Sequence, residues 1–373
     1  MTRLVTLLSI TLLFSCAKDI VIDPIQYVEY SDEEYADLKK VLDLPRTFDQ
    51  YDIGPNAFKT ATKATLGRVL FYDKSLSEDN SISCGSCHKQ EFAFSDNVAL
   101  SKGIYGRSTD RNSLALGTFA SFSTEYGSDG IPGAAALFWD LRADNTRLQI
   151  ESTMANEKEM GMRMDEVVER MKGKRHYEIL FDKAFGTTEI QEEMVLSAIE
   201  AFMLGMSAGN SRFDRSQNGS GPSLSDVENE GHKIFFSNCV SCHGRALQLP
   251  SPSERMLVAN NGLDAITIDR GLGEVSGLEE NDGLFKVPSL RNIDLTGPYM
   301  HDGRFGTLEE VIDFYSDEIQ PHKNLSKNLQ DENGNPVRFN FSDQDKKALI
   351  AFLQTLTDKS ELMDRKFSDP WIK

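Results

Sequence analysis

Two pentads of the same form, Cys84-Gly85-Ser86-Cys87-His88 and Cys239-Val240-Ser241-Cys242-His243, constrain this chain of 373 residues more than any other feature. They hold four of its five cysteines and two of its six histidines. A Cys-x-x-Cys pair alone is compatible with half a zinc site, a redox dithiol or a disulfide turn. The adjoining histidine points elsewhere. Cys-x-x-Cys-His is the attachment signature of haem c, in which both sulfurs bond to the porphyrin edge and the imidazole takes the iron from one side. Zinc is the sharpest rival, but a shared Cys₄ site would have to unite two distant pentads and would leave both histidines unused. Two covalent haem groups are expected, one in each half of the chain. A haem is a large apolar body, so each half is expected to build its core around one.

Helical signals dominate the rest. Residues 60–73 are amphipathic, residues 164–173 stop at Gly173, and residues 188–206 repeat apolar positions at three and four. Ser225 is placed to cap a helix over 224–236. Thr307 with Glu310 forms a capping box before 307–315, and Ser342 with Asp345 does so before 342–356. No alternation of strand and helix is visible. Gly67-x-x-Leu70-Phe71 precedes the first pentad and Gly231-x-x-Ile234-Phe235 the second, a weak internal repeat. The expected fold is mainly α: two cytochrome-c-like domains with long ordered loops. The expected boundaries are a signal peptide (1–15), a leader (16–58), an N-terminal haem domain (59–209), a Gly-, Ser- and Asn-rich linker (210–224) and a C-terminal haem domain (225–373).

Arg3 and the apolar run 4–14, too short to span a bilayer, lead to Leu13-Phe14-Ser15-Cys16. This reads as a lipobox, with a lipid anchor on Cys16; an ordinary signal peptide that happens to contain a cysteine is the alternative. Because haem c is attached outside the bacterial cytoplasm, the expected location is the cell envelope, facing the periplasm. The net charge of −18 argues against nucleic-acid binding. It favours solubility and steering toward a basic donor protein.

The stretches "LGRVLFYDKSLSEDNSISCGSCH" (66–88), "LFWDLRADNTRLQ" (137–149), "NEKEMG" (156–161), "GHKIFFSNCVSCHG" (231–244) and "FKVPSLRNIDLTGPYMHDGRFGTLEEVIDFY" (285–315) resemble the bacterial di-haem cytochrome c peroxidase and MauG family. The resemblance runs over nearly the whole chain beyond the leader. It implies a bridging tryptophan at Trp139, and Gln149 and Glu159 on the peroxide side of the N-terminal haem. It also implies an inter-domain calcium ion held by Asn112 and the carbonyls of Thr296 and Pro298. Two positions depart from the typical peroxidase. The histidine that closes the resting N-terminal haem is replaced near Ile104, and no histidine lies between His88 and His176. The sixth ligand of the C-terminal haem aligns with Tyr315, as in MauG-like members, with Met300 competing. The implied activity is reduction of hydrogen peroxide with electrons from a donor cytochrome or other small redox protein. A MauG-like oxidase acting on a protein, and a non-catalytic di-haem electron carrier, remain alternatives. A homodimer is left open.

Overall fold

The computed structural model describes residues 57–117, 137–206, 208–244, 258–364 and 367–371. The expected signal peptide, Cys16 and nearly all of the leader lie outside the described residues. The N-terminal half is built on α1 (Ala57–Tyr72), α2 (Thr146–Ala155), α3 (Met164–Met171), α4 (Arg175–Phe185) and α5 (Glu192–Leu204). The C-terminal half is built on α6 (Arg212–Gln217), α7 (Asp226–Asn238), α8 (Leu308–Asp313) and α9 (Asp343–Gln354). Among the described residues the one sheet is a short antiparallel ribbon, β1 (Val258–Ala259) against β2 (Phe285–Lys286).

The internal repeat is a repeat of helix crossings. On α1, a Cβ on Gly67 would stand 1.8 Å from the Ala198 carbonyl oxygen of α5 and 2.9 Å from Phe202 Cβ. On α7, a Cβ on Gly231 would stand 1.9 Å from the Ala348 carbonyl oxygen of α9 and 2.8 Å from Phe352 Cβ. In both cases glycine lets two helix backbones touch. The aromatic residue four positions after each glycine then meets the phenylalanine of the opposing helix, Phe71 with Phe202 at 5.2 Å and Phe235 with Phe352 at 5.3 Å. Aromatic pairs at such distances add to the stabilisation from area burial. The helix starts follow the expected chemistry. Ser225 with Glu228, Thr307 with Glu310 and Ser342 with Asp345 each form a reciprocal capping box.

Two segments cross the expected boundaries. The stretch expected as a linker carries α6, capped by Ser211 with Asp214; its Phe213 is buried in the C-terminal core, and Arg291 forks onto Asp214 at 2.7 and 2.9 Å. The chain end, expected with the C-terminal domain, returns to the N-terminal one. Phe367 joins that core, its carbonyl accepts from the Tyr72 hydroxyl at 2.6 Å, and the Trp371 indole N–H donates to the Val69 carbonyl at 3.2 Å. The halves also meet face to face. Arg111 binds Asp140 in its own half at 2.5 Å and Asp269 in the other through two nitrogens, at 2.7 and 2.8 Å.

Gly67→Ala and Gly231→Ala would each drive a methyl group into an opposing carbonyl. Each is expected to cost about 1–3 kcal/mol, the usual penalty of overpacking. Denaturant unfolding of the haem-loaded protein measures this, and unchanged midpoints would show that the crossings re-seat without loss.

Candidate active site

The first pentad forms one helical turn, Cys84–Cys87, after Ser83; the second, through the turn Val240–His243, continues directly from α7. None of the four cysteines forms a disulfide, and all four are half-buried. Burial pushes the Cys84 and Cys239 thiols up to about 12 and Cys87 to about 11. Burial of this kind disfavours the thiolate that dithiol exchange uses. Cys84 packs on the N-terminal core and Cys239 on the C-terminal core, so the pairs do not converge on one ion.

The two histidines are prepared alike. His88 Nδ1 lies 2.8 Å from the Phe94 carbonyl oxygen, and His243 Nδ1 lies 3.1 Å from that of Pro288. Burial pushes both imidazoles below their ordinary range, so both are neutral. With Nδ1–H donated to a carbonyl, the lone pair on Nε2 is left for a metal. Paired thiols beside an imidazole with a free Nε2 are the donor set haem c requires, and the residues present fit that group twice.

Gln149 stands on α2, and Glu159 in the turn after it, beyond the helix end at Ala155. Glu159 is half-buried and accepts from the Asn156 amide at 2.8 Å. Burial pushes its carboxyl above the ordinary range, against hydrogen bonds from Thr153 and Asn156 and the charge of Arg142, which pull it down. Its charge is felt at both Cys84 and Cys87, so it lies on the first pentad's side of the molecule. Gln149 Oε1 is buried and has no hydrogen-bond partner among the described residues. Ile104, where a closing histidine would stand, is fully buried, and its N–H donates to the Glu159 carbonyl at 3.0 Å.

One cavity of about 260 Å³ reaches from Gln149 past Trp139 to Cys239, Cys242 and His243. Trp139 is held from both halves. Its indole N–H donates to the Asn112 carbonyl at 2.9 Å, and its own carbonyl accepts from Lys286 N–H at 2.8 Å. Asn112 is buried; its N–H donates to the His301 carbonyl at 2.7 Å, and its side chain donates to the carbonyls of Val98 and Ala99. Asn112, Thr296 and Pro298 all line the cavity.

Met300 and Tyr315 both reach the far end of this cavity. Tyr315 sits in a wide π turn, Phe314–Glu318, that continues α8. Such turns add a residue to the helical register and often mark functional sites. Burial pushes its hydroxyl up to about 12, against a hydrogen bond from Asn261 that pulls it down. Met300 takes a left-handed backbone conformation (φ 74°), which positions its side chain at the tip of a turn. Asn156 and Asn261 were not singled out from the sequence. Asn156 opens the "NEKEMG" stretch, so a signal was there; Asn261 reads as a turn residue before Gly262.

Comparison with known proteins identifies the family. A family model for di-haem cytochrome c peroxidase matches residues 61–221, and one for cytochrome c matches residues 228–357. The chain is 31% identical over 305 residues to the methylamine utilization protein MauG of Methylorubrum extorquens, covering 80% of this chain and 78% of that one. It is 30% identical over 300 residues to the cytochrome c551 peroxidase of Nitrosomonas europaea, covering 80% and 81%. A solved MauG-like protein associated with microbial copper homeostasis superposes with a TM-score of 0.71 at 32% identity, over 83% of this chain and 93% of that one. The diheme peroxidase BthA from Burkholderia thailandensis shares the fold, with a TM-score of 0.62 at 23% identity over 80% and 88%. Two cytochrome-c-like domains in such a setting imply two covalently bound haem c groups. The chain belongs to the di-haem cytochrome c peroxidase and MauG family.

Proposed function

We propose that this protein reduces hydrogen peroxide to water with two electrons from a small donor redox protein. The observation that carries the reading is Glu159, a half-buried carboxyl raised by its surroundings beside the first pentad; Gln149, ten residues earlier, lines the cavity with an oxygen that has no hydrogen-bond partner among the described residues. Haem c held by Cys84, Cys87 and His88 supplies the oxidation-reduction chemistry when bound. Glu159 is placed to take a proton from one peroxide oxygen and deliver it to the other; with the donor's two electrons and two protons from solvent, the O–O bond breaks and both oxygens leave as water. Gln149 orients the peroxide through its carboxamide. Asn156 fixes the Glu159 carboxyl by donating to it. Trp139 stands in the wall shared by both halves, an aromatic ring suited to relaying charge between them. Ile104, bonded through its backbone to Glu159, offers the iron nothing, which supports a site ready for peroxide in the oxidised protein.

Asn112 with the carbonyls of Thr296 and Pro298 offers oxygen ligands from both halves, the kind a calcium ion takes. A lipid anchor on Cys16 and a periplasm-facing location complete the reading. A MauG-like oxidase acting on a protein is the second reading. It is favoured by Tyr315, since phenolate ligation lowers a haem potential where thioether ligation raises it.

The fully oxidised, haem-loaded protein is expected to consume peroxide with a reduced donor cytochrome from the first turnover; a lag removed only by prior reduction would overturn this. Glu159→Gln is expected to slow the reaction by about 10²–10⁴ while both haem groups stay bound. In the wild type the rate should fall as pH drops through the raised Glu159 pKa, because the base form is then lost. That limb should be absent in the variant. Tyr315→Phe is expected to open the C-terminal iron to small ligands, and Met300→Leu to alter its spectrum little. A methionine–iron charge-transfer band persisting in Tyr315→Phe would reverse the assignment. Exhaustive calcium chelation is expected to slow electron transfer between the halves more than it alters either haem spectrum; unchanged turnover would remove calcium from the mechanism.

A further inference from the structure

The side chain of Asn261 enters the far end of the cavity from a backbone pinned on both sides. It directly follows β1 and Asn260. The Asn260 side-chain oxygen accepts from the Gly262 N–H at 2.9 Å, and the Asn260 carbonyl accepts from Ser326 N–H at 2.9 Å. The Gly262 carbonyl accepts from Gln320 N–H at 2.7 Å. Between these anchors the residue has little freedom, so the direction of its side chain is set by the fold.

Asn261 Nδ2 donates to the Tyr315 hydroxyl oxygen at 3.3 Å and lies 3.6 Å from Met300 Sδ. A carboxamide nitrogen carries two hydrogens, so one can serve each acceptor. The oxygen is the stronger acceptor and the thioether sulfur a weak one. The two side chains that compete as sixth ligand at the second pentad are therefore tied to a single nitrogen. A hydrogen bond to a ligand atom draws on the electron density it would give the metal, so such partners tune the metal's affinity and potential.

We infer that Asn261 is a positioning residue that presents Tyr315 to the C-terminal iron, holds Met300 aside as the alternative, and raises that iron's potential by donating to the phenolic oxygen. This rests on the reading that Cys239, Cys242 and His243 hold a haem c and that Tyr315 faces it. Without the donor, the phenolate gives more density to Fe(III) and the oxidised state is favoured.

The test uses the haem-loaded full chain and spectroelectrochemical titration of each haem. Asn261→Leu removes the donor. Asn261→Asp keeps the shape, replaces the donor with an acceptor, and carries the comparison if the leucine variant fails to fold. Both are expected to lower the midpoint potential of the C-terminal haem and shift its ferric spectrum, leaving the N-terminal haem unchanged. In a Tyr315→Phe background Asn261→Leu should have no such effect. The inference is overturned if Asn261→Leu loads both haem groups with wild-type potentials, if only the aspartate shifts them, or if the shift survives in Tyr315→Phe. Wild-type peroxide turnover, measured in parallel, separates the two readings. Its absence would sink the peroxidase activity without touching Asn261, whereas unchanged potentials in an active enzyme would sink the role of Asn261 alone.

Discussion

Two helix crossings closed by glycine set the frame on which everything else is hung. Gly67 and Gly231 bring α1 onto α5 and α7 onto α9 until a carbonyl of one helix fills the space a side chain would take. Backbones that close leave no room between the helices, so the apolar faces on either side lock through aromatic pairs, Phe71 edge-on to Phe202 in one half and Phe235 tilted against Phe352 in the other. The consequence for function is positional. The second pentad follows α7 without a break, and the first follows α1 after a short loop. The thiols and imidazoles therefore inherit their orientation from the crossing, and the carbonyls of Phe94 and Pro288 finish it by turning each ring.

The seam between the halves is polar where it must be specific. Arg111 is shared by Asp140 and Asp269, one from each half. A partly buried ion pair of this kind contributes little net stability, because desolvation offsets the attraction, but breaking it strands a charge. It therefore favours one relative placement of the two halves over others. The residues next to it exploit that placement. Asn112 binds the His301 carbonyl with its N–H and the Trp139 indole with its carbonyl, and Lys286 closes on Trp139 from the other half. Trp139 is thus held by its indole in one half and by its carbonyl from the other, so its placement at the seam is a property of the fold.

What the chain revealed before folding followed the reach of each signal. The pentads, the N-cap at Ser225, the capping boxes at Thr307 and Ser342, and the repeated glycines are local patterns with a local physical cause, and they were legible. α6 was not, because Ser211, Asn218 and Gly219 to Gly221 dominate its neighbourhood and hide the short apolar stretch that Phe213 anchors. The return of Phe367 and Trp371 to the first domain was not legible either, since contacts across some three hundred positions leave no periodic trace. Glu159 shows the intermediate case. Its spacing from Gln149 was readable through the family resemblance. Its raised pKa arises from burial in a turn, which no local pattern reports.

Tyr315 and Met300 were named through the family resemblance, but the backbone that brings them together was not legible. Tyr315 and Met300 are ordinary residues in sequence, one within a helical run and one before a histidine. Their competition exists only because a π turn carries Tyr315 into the cavity and a left-handed residue carries Met300 to its edge. Each device gives up regular backbone geometry, while both side chains still pack against the small core of Phe314, Ile319, Leu325 and Leu329. The Asn261 amide, reaching both from a separately anchored turn, makes the arrangement one unit. On the proposed reading, a sixth ligand chosen by three pieces of backbone could be changed by altering any one of them while the haem attachment stays intact. Such a separation would suit a family whose members are named both as peroxidases and as MauG: the pentads would hold the haem, and the segments carrying Tyr315, Met300 and Asn261 would set what its iron is disposed to do.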